Sequence, residues 1–310
     1  MKEEIEFKKA FIERYSKLTN FDLFSDYSLR FLRRSIRVNT LKISINDLKK
    51  RIQTEWNLTQ IPWCSEGFWI KHKGTRKDIG NLIEHVLGYI FVQEAASMIP
   101  PIVLNPKPNE KVLDLCASPG SKTTQIAQYM ENTGILIAND FKFDRNKALS
   151  LNLQRMGVLN VIMTLKDATK IKNYTKNEFD KILVDAPCSG TGAIRKSLKT
   201  IKIWNPNMIT KLATTQKIIL ENAFNLLKKG GSLVYSTCSV EPEENEGVIN
   251  FLVEKYKNAK VEKINLDIIK SEPILEFNGV KYNNQVKKSL RIWPQDNDTE
   301  GFFICKIKKN

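Results

Sequence analysis

From about residue 110 to the C-terminus, short apolar runs alternate with longer amphipathic stretches. "KVLDLCA", "GILIAND", "VIMTLKD", "KILVDAP", "SLVYSTC" and "GFFICKIKK" have the pattern of strands covered on both faces. Between them, "SKTTQIAQYME", "DRNKALSLNLQRMG", "MITKLATTQKIILENAFNLL" and "EENEGVINFLVEKY" predict helices. "KKGG" predicts a glycine stop for the third helix, and Pro242 with its acidic neighbours predicts the start of the fourth. Strand–helix alternation predicts an α/β domain with a doubly wound, mostly parallel sheet. Such sheets bind ligands beyond the carboxyl ends of their strands.

The first hundred residues are patterned differently. "MKEEIEFKKAFIERYSKL" predicts an amphipathic helix, "SIRVNTLKI" a strand and "IGNLIEHVLGY" another helical stretch, with the aromatic segment "IPWCSEGFWI" before it. The mixture predicts a small α+β unit over 1–100, followed by the α/β unit over 101–310. "PPIVLNPKPNE", with its four prolines, is the expected joint.

Composition narrows the field. No run approaches a membrane span and the charged start is unlike a signal peptide, so a cytoplasmic protein without membrane contact is expected. The five cysteines, at 64, 116, 188, 238 and 305, are scattered and odd in number, which argues against a disulfide scaffold. Without C-x-x-C spacing and with two histidines, no metal site is expected. The net charge of +15 suits either a lysine-rich solvated surface or a polyanion partner. The cluster Arg30, Arg33, Arg34 and Arg37 is a candidate for phosphate contacts.

Chemistry enters at the strand ends. "LDLCASPGSKTTQIA" passes from a strand through a turn of small residues into a helix, where backbone N–H groups are free to meet a ligand. It lacks the spacing of a P-loop or of a dinucleotide fingerprint. Four successive predicted strands end in aspartate: Asp114, Asp140, Asp167 and Asp185. Asp140, twenty residues past Gly120, is placed to accept both ribose hydroxyls. An acidic pocket without a phosphate loop suits S-adenosylmethionine, a nucleoside bearing a positive sulfonium.

Cys188 in "DAPCSGTG" and Cys238 in "YSTCSVEPEEN" each follow a strand. Core filler, a redox pair or nucleophiles are all open readings. Methyl transfer to carbon 5 of a pyrimidine needs a thiol, because C5 becomes nucleophilic only after a thiolate adds to C6. A predicted helix N-terminus just after Cys238 would lower its pKa, while Glu241, Glu243 and Glu244 would raise it. Cys64, Cys116 and Cys305 read as small hydrophobes.

Taken together, "RVNTLK", "QEAASMIPP", "LDLCASPGSKTTQIA", "DAPCSGTG", "YSTCSVEPEENEGVI" and "RIWPQDNDTEGFF" resemble the Sun-type RNA (cytosine-C5) methyltransferase family over about residues 30–306, most like its archaeal-type tRNA members. The resemblance implies a class I, Rossmann-like methyltransferase fold with a seven-stranded sheet, a small RNA-recognition-like N-terminal domain and S-adenosylmethionine as donor. It implies Cys238 as the nucleophile and Cys188 as its aid in product release. It implies that Cys116, Ala117, Ser118, Pro119, Gly120, Ser121 and Lys122 cradle the methionine part, that Asp140 holds the ribose and that Asp167 lies near the adenine. Asp185 would lie between donor and base, and Lys122 would help fix the base. Ser121 stands where the family has a second glycine, and Gln295 where members often carry a histidine.

The expected substrate is tRNA, with ribosomal RNA second, acted on by a monomer without a further RNA-binding domain. The competing readings are a DNA or small-molecule methyltransferase of the same fold and a non-enzymatic RNA-binding protein. Turnover without RNA would mark the first, and RNA affinity indifferent to the donor would mark the second.

Overall fold

The computed structural model describes residues 7–75, 77–175 and 178–310. It contains two principal sheets. The first is antiparallel, built from β1 (Ser35–Val38), β2 (Trp56–Ile61), β3 (Cys64–His72) and β4 (Ile90–Val92) in the order β2-β3-β1-β4. Its inner face buries Ile36, Val38, Phe68 and Ile70 with Leu48 and Ile52 of the helix Ile45–Ile52.

The second sheet is formed by β5 (Lys111–Asp114), β6 (Ile135–Asp140), β7 (Val161–Leu165), β8 (Phe179–Asp185), β9 (Leu227–Thr237), β10 (Ala259–Glu262) and, beyond a two-stranded hairpin of β11 (Glu276–Phe277) and β12 (Val280–Lys281), by β13 (Leu290–Ile292) and β14 (Phe302–Lys309). Seven strands run in the order β10-β14-β9-β8-β5-β6-β7, and β13 pairs beside β14. Strands β7, β6, β5, β8 and β9 are parallel, and β14 is antiparallel to β9 and β10. This is the class I methyltransferase order.

Because successive side chains of a strand point to opposite faces, Val112, Leu183 and Val234 pack into one core with Ile99, Ile126 and Leu149. Their neighbours Leu113, Ile182, Leu233 and Tyr235 pack into another with Ile219, Phe224 and Ile249. Each face of the sheet is thus covered. The order reverses between β5 and β8, the switch point where a crevice opens at the carboxyl ends.

Several local expectations are corrected. The third predicted helix, Pro206–Asn225, ends before "KKGG"; Gly230 and Gly231 lie inside β9, where Leu227 already pairs with Phe179. The helix expected just after Cys238 begins only at Glu246. "IGNLIEHVLGY" forms a short 3₁₀ segment and a single turn, Ile83–Val86. The first two prolines of the joint, Pro100 and Pro101, open a buried helix, Ile99–Leu104, in keeping with proline's tolerance of the first helical turn. Of the predicted first helix, Lys9–Tyr15 is helical; residues 1–6 lie outside the described residues. Phe11, Tyr15 and Phe24, from the first two helices, pack against Ile194, Trp204, Val240 and Trp293.

Candidate active site

The parallel pairing of β5, β6, β7, β8 and β9 brings five strand exits to one edge. There a pocket of about 550 Å³ is lined by Cys116, Asp140, Asp167, Asp185, Cys188 and Cys238. Asp114 is not among its walls. It is buried, accepts from Thr123 Oγ1 at 2.7 Å, and burial first, then Asp185, pushes its pKa up to about 7. Three of the four aspartates therefore meet at the pocket, and the fourth supports the turn beneath it.

After β5 the chain turns through Leu115–Gly120 into the helix Ser121–Tyr129. Gly120 takes a positive φ of 104° that a side chain would strain, and its N–H bonds Ala117 O at 2.8 Å. Asp140, at the end of β6, accepts from the N–H groups of Ser118 (3.2 Å) and Lys142 (3.1 Å), so one carboxylate orders two loops. Arg145 donates to Ser118 O at 2.6 Å and lies 3.6 Å from Asp140. Asn152 donates to Pro119 O. Of the seven residues Cys116–Lys122, only Cys116 is among the pocket walls; Ser121 O accepts from Arg37.

Among the described residues the buried hydroxyl of Ser118 has no partner, next to a carboxylate with lone pairs to spare. With apolar Leu115, Ala186 and Ile219 among the walls, these acceptors fit a nucleoside better than a pyrophosphate.

Lys122 and Asp185 form an ion pair at 2.6 Å. Burial would lower the lysine's pKa, but the charge of Asp185 and the hydrogen bond to it outweigh burial, and Lys122 stays charged. The other Asp185 oxygen accepts from Ser236 Oγ at 2.8 Å. Lys122 Nζ also sits 5.5 Å from the centre of the Phe302 ring.

Cys188 Sγ and Cys238 Sγ are in hydrogen-bond contact. The Cys188 pKa is pushed well above the ordinary thiol range, first by that hydrogen bond, then by burial and by the charges of Cys238 and Glu244. Glu244 is fully buried and accepts from Ser189 N, Gln216 and Ser239 Oγ, tying the two cysteine loops together. Glu241 accepts from Arg14, Tyr15 and Trp204, and Glu246 pairs with Arg291 at 2.6 Å. The acids of "EPEENEG" thus anchor loops, which the sequence reading had not foreseen.

The remaining sequence candidates divide. Cys64 and Cys305 are core residues. Gln295 donates to Thr19 outside the pocket walls. Arg37 is fully buried, so the phosphate role considered for it is withdrawn; it bonds Gln93, Ser121 O and Thr124. The sequence reading missed Phe141, Lys142, Arg145, Pro187, Thr215 and Ile219 as pocket walls. Position alone could have found the first three, which follow Asp140 in the strand-to-helix turn, and Pro187 lies within a quoted motif. Thr215 and Ile219, one turn apart on a long helix, carry no signal of their own.

The family model described as 16S rRNA methyltransferase RsmB/F matches residues 101–308, and that of the N-terminal domain of 16S rRNA methyltransferase RsmF matches residues 7–95. The tRNA (cytosine(49)-C(5))-methyltransferase of Pyrococcus abyssi is 49% identical over 308 residues, 98% of each chain. The ribosomal RNA small subunit methyltransferase F of Shewanella oneidensis is 42% identical over 94% of this chain, which spans 60% of that relative's length. Among solved structures, a methyltransferase homolog from Pyrococcus horikoshii superposes with a TM-score of 0.88 at 36% identity, covering 99% of this chain and 96% of that one. NSun6 from the same organism, solved with SFG, superposes with a TM-score of 0.85 at 26% identity, covering 98% of each.

Proposed function

Because this chain belongs to the RsmB/F family of RNA methyltransferases, we propose that it transfers a methyl group from S-adenosylmethionine to C5 of a cytosine in RNA, with tRNA as the substrate. The observation that carries the reading is the pair of touching thiols in the wall of a pocket that also holds Asp140, Asp167 and Asp185. The choice of tRNA rests on the 49% identity to a tRNA enzyme over 98% of both chains. Ribosomal RNA is the second reading, favoured by the 42% identical relative.

In this reading the loop Cys116–Gly120 and the free Ser118 hydroxyl hold the methionine part of the donor. Asp140 takes the ribose hydroxyls, and Asp167 lies near the adenine. When bound, S-adenosylmethionine supplies an electrophilic methyl group to C5. Cys238 Sγ adds to C6 of the cytosine, turning the ring into an enamine. The Lys122 ammonium, kept charged by its ion pair with Asp185, lies with that carboxylate where the base edge would sit. A base then takes the C5 proton, the C6–S bond breaks, and the pair of electrons returns to Cys238. Cys188, held as a neutral thiol beside the departing sulfur, assists that release. The N-terminal sheet contributes contacts to RNA.

The test is transfer of tritium from labelled S-adenosylmethionine to unmodified total tRNA, with the product digested to nucleosides. Label in 5-methylcytosine that disappears with Cys238→Ala supports the reading. No label from wild type on tRNA, but label on ribosomal RNA, moves the substrate. Label on neither, with donor bound, removes the reaction.

A further inference from the structure

Outside the active site, the outer face of the first sheet carries a second groove, of about 560 Å³. In the β2–β3 register Thr59 faces Trp69 and Asn57 faces Lys71. Side chains alternate across a sheet, so these four share one face while Leu58, Phe68 and Ile70 fill the core on the other. The outer face of a small antiparallel sheet is ordinarily polar. Here it presents an indole, and Phe31 beside it is 86% exposed.

The groove is also charged in one sense. Arg33, Arg34 and Lys71 line it, and no acid does among the described residues. The Arg33 guanidinium lies 3.9 Å from the centre of the Trp69 ring while its Nε bonds Asp298 at 2.9 Å. A planar cation pinned on an indole extends the flat surface on which a base can stack. Asn57 and Thr59 offer donors and acceptors to a base edge.

The groove connects to the active site. Asp298 also pairs with Arg195 at 2.8 Å, and Arg195 donates to Phe31 O at 2.7 Å. Arg195 lies in the loop that leaves Cys188, and Asp298 lies just before Phe302, the ring near Lys122.

We propose that this groove receives an unpaired nucleotide of the substrate RNA, distinct from the methylated cytosine. Its base stacks against Phe31 and the Trp69–Arg33 surface, and its phosphate meets Arg34 and Lys71. Aromatic platforms combined with cations are how proteins hold single-stranded bases. The inference rests on the reading of RNA as substrate, and it assigns to that RNA a second point of attachment.

The experiment measures filter binding of unmodified tRNA to the full chain, together with kcat and KM for tRNA. It compares wild type, Phe31→Ala, Phe31→Trp and Lys71→Glu, with donor binding as the control for folding. Phe31→Ala and Lys71→Glu are expected to weaken tRNA binding and raise KM roughly tenfold. The kcat and donor affinity stay unchanged, and Phe31→Trp restores the affinity. Unchanged tRNA affinity in both loss variants overturns the proposal and leaves the groove to a protein partner. Wild type that methylates no RNA, with tRNA binding still weakened tenfold by the variants, sinks the proposed reaction and retains the groove. Wild type that neither binds nor methylates RNA overturns both.

Discussion

The sulfur atoms of Cys188 and Cys238 stand 3.3 Å apart although fifty residues separate them in the chain. The cause is register. β8 and β9 are parallel neighbours with Asp185 opposite Ser236, so each strand delivers its cysteine to the same edge. One sulfur can bond to the base while the other attends its departure. With RNA containing 5-fluorocytidine, wild type is expected to form a covalent complex that survives denaturing electrophoresis. Cys238→Ala is expected to form none and to lose roughly a thousandfold or more in turnover. Cys188→Ala is expected to accumulate the complex even on ordinary RNA. An adduct formed by Cys238→Ala would transfer the nucleophile's role to Cys188.

Lys122 is expected to matter for chemistry more than for RNA capture, since its charge is buried and held by Asp185, a wall of the pocket that holds both cysteines. Lys122→Met should lower kcat roughly a hundredfold, the scale of losing one positioned donor, with little change in KM for tRNA. Steady-state kinetics on total tRNA separate the two. A rise in KM alone would make Lys122 an RNA contact instead.

Gly192 in "CSGTG" marks a close approach between loops. Its N–H bonds Cys238 O and its own carbonyl accepts from Gly301, both at 2.9 Å, and a Cβ would lie 2.2 Å from Gly301 O. Gly192→Ala must push the loops apart, and a loss of about 3 kcal/mol is expected from such overpacking. Gly190, two residues earlier, has open space around it and a φ of 69°. Gly190→Ala should cost only about 1 kcal/mol, the strain of the left-handed region. Urea unfolding of both variants tests the contrast, and equal losses would contradict it.

Asp114 links stability to pH. Burial raises its pKa from an ordinary 3.8 to about 7 in the folded protein. The unfolded chain therefore releases this proton at lower pH than the folded one does. The stabilising contribution is whole below about pH 4 and is lost as pH rises through 7, with a limiting slope of about 1.4 kcal/mol per unit. The wild-type unfolding free energy, minus that of Asp114→Asn, should fall across this window. A flat difference would show that Asp114 is already ionised in the fold.

The alternation of apolar runs and helices made the second sheet legible, since buried parallel strands are apolar throughout. Its aspartates and cysteines were legible for the same reason: polar residues that interrupt a strand's apolar run mark its exit. Distances in space were not. Asp114 has the same sequence setting as Asp140, yet its side chain turns beneath the loop to Thr123. The run "EPEENEG" looked like the acidic first turn of a helix; burial of Glu241, Glu244 and Glu246 against partners 5 to 227 residues away depends on tertiary contacts that no local pattern encodes. Arg37 misled for a similar reason, because a basic cluster does not say which of its members turns inward. "KKGG" lost its role as a helix stop to the ladder that Leu227 had already begun with Phe179.

The inward turn of Arg37 has a consequence for how such proteins can be rebuilt. From β1 its guanidinium bonds Gln93 beyond β4, and Ser121 O and Thr124 in the first turn of the helix that carries Lys122. Burial lowers its pKa to about 10, so it remains a cation; these acceptors take its two terminal nitrogens, while Nε has no partner among the described residues. The first sheet is therefore a poor unit of exchange. A chimera that brings in a foreign N-terminal part without matching positions 93, 121 and 124 leaves a charge stranded at the seam, whereas redecorating the exposed positions Asn57, Thr59 and Lys71 of the outer face leaves the seam intact.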